Sequence, residues 1–181
     1  MRLINNLYEL DCHLFRQINH YFDRRVLNRF LNVVTHLGGA KFSITFTLLL
    51  IILTSHSIRL TAIASATSLA VSHIPVAIVK KIFPRQRPYV VLERIHVLAN
   101  PLEDHSFPSG HTTAIFSMIV PFVMLQPTLA VILLPLGTIV GISRIFLGLH
   151  YPSDVIIGML LGSFTGLGAF LLIEKLFPYM F

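Results

Sequence analysis

The sequence predicts an all-α, polytopic membrane bundle, with about five transmembrane helices and an N-terminal amphipathic helical segment in one domain over residues 1–181. Three observations predict it. Hydrophobic residues make up 54% of the chain and charged residues only 12%, with a mean hydropathy of +0.75; soluble domains devote about a quarter of their residues to charge. Five internal stretches approach the roughly 20 apolar residues that a bilayer's hydrocarbon core demands. The breaks between them carry turn residues, as at Ser57-Ile58-Arg59, Gln126-Pro127-Thr128 and Tyr151-Pro152-Ser153.

The first element is the segment 1–37. Leu3, Leu7, Leu10, Leu14, Ile18, Phe22, Val26, Phe30 and Val34 recur at helical spacing, with Glu9, Arg16, Asp23, Arg24, Arg25 and Arg29 on the other faces. That pattern predicts one or two amphipathic helices lying at the membrane surface or packed on the bundle. Glu9, Asp11, His13 and Arg16 interrupt any signal-peptide core, so insertion is expected from internal segments. Those segments are 38–57, 60–79, 111–126, 128–147 and 155–177, the third being short and carrying Pro121. The long connection, 80–108, holds Pro84, Pro88 and Pro101. Cys12 is the single cysteine, which excludes an internal disulfide.

Antiparallel spans alternate direction, so the second span ends where the third begins, the fourth ends and the fifth begins. Those four places hold Lys80 and Arg87; Ser109-Gly110-His111; Arg144 running to His150; and Asp154. The opposite face shows only His56, Arg59, Glu174 and Lys175. Ionisable groups are costly at a bilayer, and their gathering on one face predicts a functional site. Snorkelling at the interface accounts for Lys81, Arg85 and Arg94. His73 is expected to be a buried, hydrogen-bonded span residue, and His105 a loop residue.

Lys80, Arg87 and Arg144 supply cations with little acid nearby, and the arginine fork suits two oxygens of a phosphate. Ser109 and Gly110 open the third span, where a helix's free N–H groups and dipole attract an anion. Ser109 alone reads as an ordinary N-cap; beside cations and a histidine it reads as part of an anion site. The fifth span is expected to start near Pro152, putting Asp154 in its first turn and within reach of His150. A carboxylate on one ring nitrogen leaves the other as a nucleophile, while a second histidine, His111, can serve as acid and then base. On chemistry alone the two histidines could exchange duties; Asp154 favours His150. A metal held by His111, His150 and Asp154 would face repulsion from the surrounding cations, so neither a metal nor another cofactor is expected.

Lys80-x6-Arg87-Pro88, Pro108-Ser109-Gly110-His111 and Ser143-Arg144-x5-His150-x3-Asp154 together resemble the three-part signature of type 2 phosphatidic acid phosphatases. That superfamily includes vanadium haloperoxidases and undecaprenyl pyrophosphate phosphatases. The resemblance covers residues 80–154 with every position filled. It implies a phosphohistidine at His150, oriented by Asp154, with His111 protonating the leaving group. Lys80, Arg87, Ser109, Gly110 and Arg144 would hold the phosphate, without a required metal and with vanadate as a common inhibitor.

The expected function is hydrolysis of a membrane-lipid phosphomonoester or diphosphate, with undecaprenyl pyrophosphate, phosphatidylglycerophosphate and phosphatidic acid as candidates. Rival readings are a lipid phosphotransferase of the same fold and a non-catalytic anion transporter. The expected partners are the lipid substrate and the bilayer; nucleic acid is not expected, because the basic residues are interleaved with spans. Family members usually have six spans and an outward-facing site, whereas this chain shows five, with an amphipathic segment in place of the first. The N-terminal arginines would place that face in the cytoplasm by the positive-inside rule. The site is expected on the outer face of the cell membrane.

Overall fold

A computed structural model describes residues 2–98 and 103–179. Helices α1 (Arg2–Asn19) and α2 (Arg25–Val34) form the N-terminal segment, separated by a 3-10 turn at His20–Asp23. A second 3-10 turn, Thr35–Gly38, leads into α3 (Ala40–Leu53), followed by α4 (His56–Ile82) and the short α5 (Pro88–Val91). The chain then forms α6 (Gly110–Leu125), α7 (Ala130–Phe146) and α8 (Pro152–Leu176). The described residues are helices and connections with no strand, in the order the sequence predicts.

Span lengths differ from the expectation. Among the described residues three helical stretches, His56–Ile82, Pro127–Phe146 and Pro152–Leu176, are long and apolar enough to cross a membrane alone. Helix α3 qualifies only together with residues 25–38, across a 56° bend, which makes up to four spans. Apolarity over 38–57 did not mark where the helix stops: Gly39 and Thr54 are both extended, leaving 14 helical residues between them. Helix α6 is also short, at 16 residues, and is buried from Thr112 to Ile119 without interruption. A helix that packs on all sides is a core element, and α6 contacts α4, α7 and α8.

Polarity is arranged inside out relative to a water-soluble bundle. Ser43, Thr47, Ser65, Ser68, Ser72, Thr113 and Ser117 are buried, while Leu48, Ile52, Ile74, Ile132, Leu160 and Phe164 are exposed. In lipid the outer surface is apolar, and helices associate through small residues and short hydrogen bonds. Ser65 Oγ donates to Met118 O at 2.9 Å, joining α4 to α6. Ser68 and Ser117 lie 3.2 Å from Thr165 Oγ1 on α8. A Cβ at Gly162 would stand 2.4 Å from Thr113 O, so the approach of α8 to α6 requires glycine there. This is a multi-pass membrane architecture.

The N-terminal helices pack onto the site end of the bundle. Phe15 of α1 is fully buried against Ile145, Tyr151 and Val155. Asn19 Nδ2 donates to His96 O and Phe146 O at 2.8 and 2.9 Å, tying α1 to the long connection and to the end of α7.

Candidate active site

Each element brings its polar end to the same place, as span parity predicts. Lys80 rides on the last turn of α4, and Arg87 is the residue before α5, whose first position is Pro88. Arg144 lies in the last turn of α7. Gly148 then turns the chain at φ +79, where a Cβ would meet His96 O at 2.4 Å. The reversal lets the His150 amide donate to Arg144 O at 3.2 Å. Lys80, Arg87, Asp104, Gly110, His111 and His150 wall a cavity of about 360 Å³, closed by Gly38, Ala40, His73, Val76 and Ala77.

Tyr151 is the N-cap of α8 and Pro152 its first residue, so Asp154 occupies the first turn, where the sequence places it. Asp154 is fully buried; its Oδ2 accepts the Tyr151 amide at 2.9 Å and faces His150 Nδ1 at 3.5 Å. The other ring nitrogen, Nε2, lies 3.3 Å from Arg87 Nη1. A guanidinium can only donate, so this contact assigns to Nε2 a lone pair that accepts from Arg87, and the ring proton to Nδ1, on the Asp154 side. Burial pushes the His150 pKa down; Asp154 opposes that, and the charges of Arg87 and Arg144 reinforce it, giving about 4. The ring is therefore neutral at ordinary pH, with a lone pair facing the cations.

The cations are not equally occupied. Arg87 Nη1 donates to Leu149 O at 2.8 Å, Nη2 to Asp104 Oδ1 at 2.6 Å, and Nε to Asp104 O at 2.6 Å. Lys80 Nζ bonds the other Asp104 oxygen. Arg144 is 3% exposed; among the described residues only its Nη1 is engaged, with Thr35 Oγ1 at 2.8 Å, and Nε and Nη2 have no partner. Buried donors left unpaired on a cation are costly, and an anion would satisfy them. At the start of α6, Ser109 does not cap with its side chain; Oγ bonds Thr112 Oγ1 at 2.8 Å, and its amide donates to Asp154 O at 3.0 Å. The first turn of α6 is thereby fixed against α8, and no side-chain cap occupies its anion-attracting end. Among the described residues no three His, Cys, Asp or Glu side chains converge as metal ligands would.

Several participants went unrecognised in the sequence. Arg85 does not snorkel: Nη1 donates to Asp154 Oδ1 at 2.8 Å and Nη2 to Asp11 Oδ2 at 2.6 Å. Asp11 comes from α1 and also accepts the Ser153 amide at 2.9 Å. Arg85 stands two residues before Arg87 in a segment bracketed by Pro84 and Pro88; that Arg-x-Arg spacing was the available signal. Asp104 takes donors from Lys80 and Arg87, a role that an acid in a long loop does not announce. Burial alone would raise its carboxyl, but the Lys80 hydrogen bond and the Arg87 charge hold it at about 2. His73 donates Nδ1–H to Leu69 O at 2.7 Å, yet it is exposed in the cavity wall rather than buried.

Residues 61–178 match the sequence profile of the PAP2 superfamily. The bacitracin transport permease protein BcrC of Bacillus licheniformis is 34% identical over 118 residues, 65% of this chain and 58% of that protein. The undecaprenyl-diphosphatase of Sulfolobus acidocaldarius is 29% identical over 84% of this chain and 73% of its own length. The chain thus spans less than two thirds of the Bacillus relative. The crystal structure of Aquifex aeolicus LpxE superimposes with a TM-score of 0.76 at 26% identity, covering 87% of this chain and 92% of that one.

Proposed function

We propose that this chain, which belongs to the PAP2 superfamily, hydrolyses a phosphomonoester or diphosphate of a membrane lipid through a phosphohistidine on His150. One observation carries the reading: among the described residues, Nε and Nη2 of buried Arg144 have no partner, near a histidine whose Nε2 lone pair faces Arg87 at 3.3 Å.

In this mechanism the phosphoryl oxygens take the free donors of Arg144, the first turn of α6, and the Lys80 and Arg87 donors that Asp104 otherwise holds. Concentrating those charges where the transition state gathers negative charge lowers the barrier to phosphoryl transfer. His150 Nε2 attacks phosphorus, forming an N–P bond as the P–O bond to the lipid breaks. The bonding pair leaves with that oxygen, which His111, entering the step as the imidazolium, protonates to become the neutral ring. His111 then takes a proton from water as the water oxygen attacks phosphorus. The N–P bond breaks, inorganic phosphate departs, and the lone pair returns to Nε2. Asp154 keeps the ring proton on Nδ1 throughout.

Similarity to an undecaprenyl-diphosphatase over 84% of the chain supports a polyprenyl diphosphate as the first substrate to test. Phosphatidylglycerophosphate and phosphatidic acid share the group the site would bind. We place the site on the outer face, following the habit implied by the family resemblance. Glu93 is exposed on the connection between α5 and α6. Introduced as Glu93→Cys in a Cys12→Ser background, it should react with an impermeant thiol reagent in intact cells; labelling only after lysis would reverse the orientation.

Phosphate release by the purified protein is the functional test, across a panel of lipid phosphates and diphosphates with His150→Ala as control. Free phosphate from at least one lipid, lost in the variant, is expected. A phosphorylated acceptor in place of free phosphate would make the protein a transferase. Undiminished release by His150→Ala would remove the nucleophile assignment.

A further inference from the structure

We propose that Arg85 and Asp11 are positioning residues that act on the reaction through Asp154, which makes the N-terminal helix part of the catalytic apparatus. The inference rests on the reading of His150 as nucleophile.

Asp154 is a fully buried carboxylate on a membrane-spanning helix. Such a charge persists only where it is paired and hydrogen-bonded. Its Oδ2 has the Tyr151 amide at 2.9 Å and faces the His150 ring at 3.5 Å. Its Oδ1 has the Arg85 guanidinium, whose Nη1 donates to both Asp154 Oδ1 at 2.8 Å and Ser153 Oγ at 2.7 Å. Arg85 supplies a salt bridge to Asp154, and it does so from the side away from His150.

Asp11 fixes Arg85 in turn. It is 6% exposed and lies 142 residues from Ser153 in the chain. Its carboxylate accepts Arg85 Nη2 at 2.6 Å, the Ser153 amide at 2.9 Å and the Ser153 hydroxyl. The Ser153 amide lies in the first turn of α8, where helical N–H groups lack a partner within the helix. One carboxylate from α1 thus secures both the start of α8 and the arginine beside it. The guanidinium also lies over the Tyr151 ring at 3.9 Å, with Tyr8 of α1 at 5.8 Å. Burial disfavours the Arg85 charge, but Asp154 and Asp11 outweigh it and hold its pKa above the ordinary value.

The arrangement requires a fork. A planar guanidinium meets acceptors on Asp11, Ser153 and Asp154 from fixed directions, which a lysine ammonium cannot reproduce. Without Arg85, Asp154 would be buried near Asp11 with no counter-cation, and proton uptake would relieve the strain of two acids. A protonated Asp154 would no longer hold the Nδ1 proton, and the orientation of Nε2 would be lost.

The experiment compares Arg85→Gln, Asp11→Asn, Asp154→Asn and the Arg85→Gln/Asp154→Asn pair in the full-length protein in detergent. The first readout is phosphate release from farnesyl diphosphate and dioctanoyl phosphatidic acid. The second, independent of turnover, is the His150 titration followed by imidazole NMR. Arg85→Gln should lower kcat by about 10- to 100-fold, the range usual for partners that orient a functional side chain, with KM little changed. Asp11→Asn should do the same to a lesser degree. Asp154 raises the His150 pKa, so Arg85→Gln and Asp154→Asn should each move the titration to lower pH, and the pair no further than Asp154→Asn alone. A merely structural contact would lower folded yield in each variant while leaving the titration in place. Additive losses in the pair, or an unmoved His150 titration in folded Arg85→Gln, would overturn the proposal. If the wild type released no phosphate from any lipid, the proposed function would fail while the titration still decided the role of Arg85.

Discussion

His150 lies between two polar regions built on opposite rules. On its Nε2 side, Lys80 and Arg87 line a cavity, and buried Arg144 keeps two nitrogens without partners among the described residues. On its Nδ1 side, Asp154, Asp11, Arg85 and Ser153 bond one another. The first region holds excess positive charge and unused donors, so it is suited to receive an anion. The second matches donors to acceptors, so it is suited to hold a ring in place. Arg85 and Arg87 are two residues apart and belong to different regions, which shows that charge type does not assign a role. Partners do.

Breaking the receiving side should have the larger effect. Arg144→Ala is expected to lower kcat/KM by about 10²- to 10³-fold, as loss of a preorganised charge-stabilising donor typically does. Arg144→Lys should recover only part of it, because an ammonium does not reproduce the fork. Both are measured by initial rates of phosphate release, with orthovanadate inhibition as a parallel reading of anion affinity.

The acid limb of the pH profile tests whether the cations reach His150. In the free protein kcat/KM requires neutral His150, so activity is lost as pH falls through the ring's pKa. Burial, Arg87 and Arg144 hold that value near 4, well below a histidine's ordinary value. The limb should therefore lie near pH 4, and replacing Arg87 by Gln should move it upward because a lowering charge is removed. A limb that stays fixed in Arg87→Gln would separate the cations from the nucleophile.

Asp104 gives the smallest and most specific effect. Its carboxylate takes Lys80 and Arg87 donors that a phosphate would use. Asp104→Asn should tighten orthovanadate inhibition by about fivefold to tenfold, which corresponds to about 1–1.4 kcal/mol. Weaker inhibition would mean that Asp104 organises the cations for the phosphate instead of competing with it.

Much of this was legible in the sequence because membrane spans impose parity. Knowing that helices alternate direction was enough to bring Lys80, Arg87, His111, Arg144, His150 and Asp154 to one end. Pro152 likewise marked the start of α8, because proline is favoured at a helix's first position. Helix lengths were less legible: apolar composition runs through Gly38–Gly39 and Thr54, and backbone conformation ends α3 there. Arg85 and Asp11 were missed because a salt bridge across 74 residues leaves no local pattern. Thr35, which engages Arg144 from 109 residues away, was hidden for the same reason.

The central claim is that phosphorus bonds to His150, and the intermediate can be sought directly. A lipid diphosphate labelled with ³²P at its terminal phosphate would be mixed with protein and quenched in alkali, where a phosphohistidine survives. Label should stay on the wild-type protein, map to the peptide containing His150, and be absent from His150→Ala. Label on the His111 peptide, or phosphate release by His150→Ala at the wild-type rate, would contradict the account.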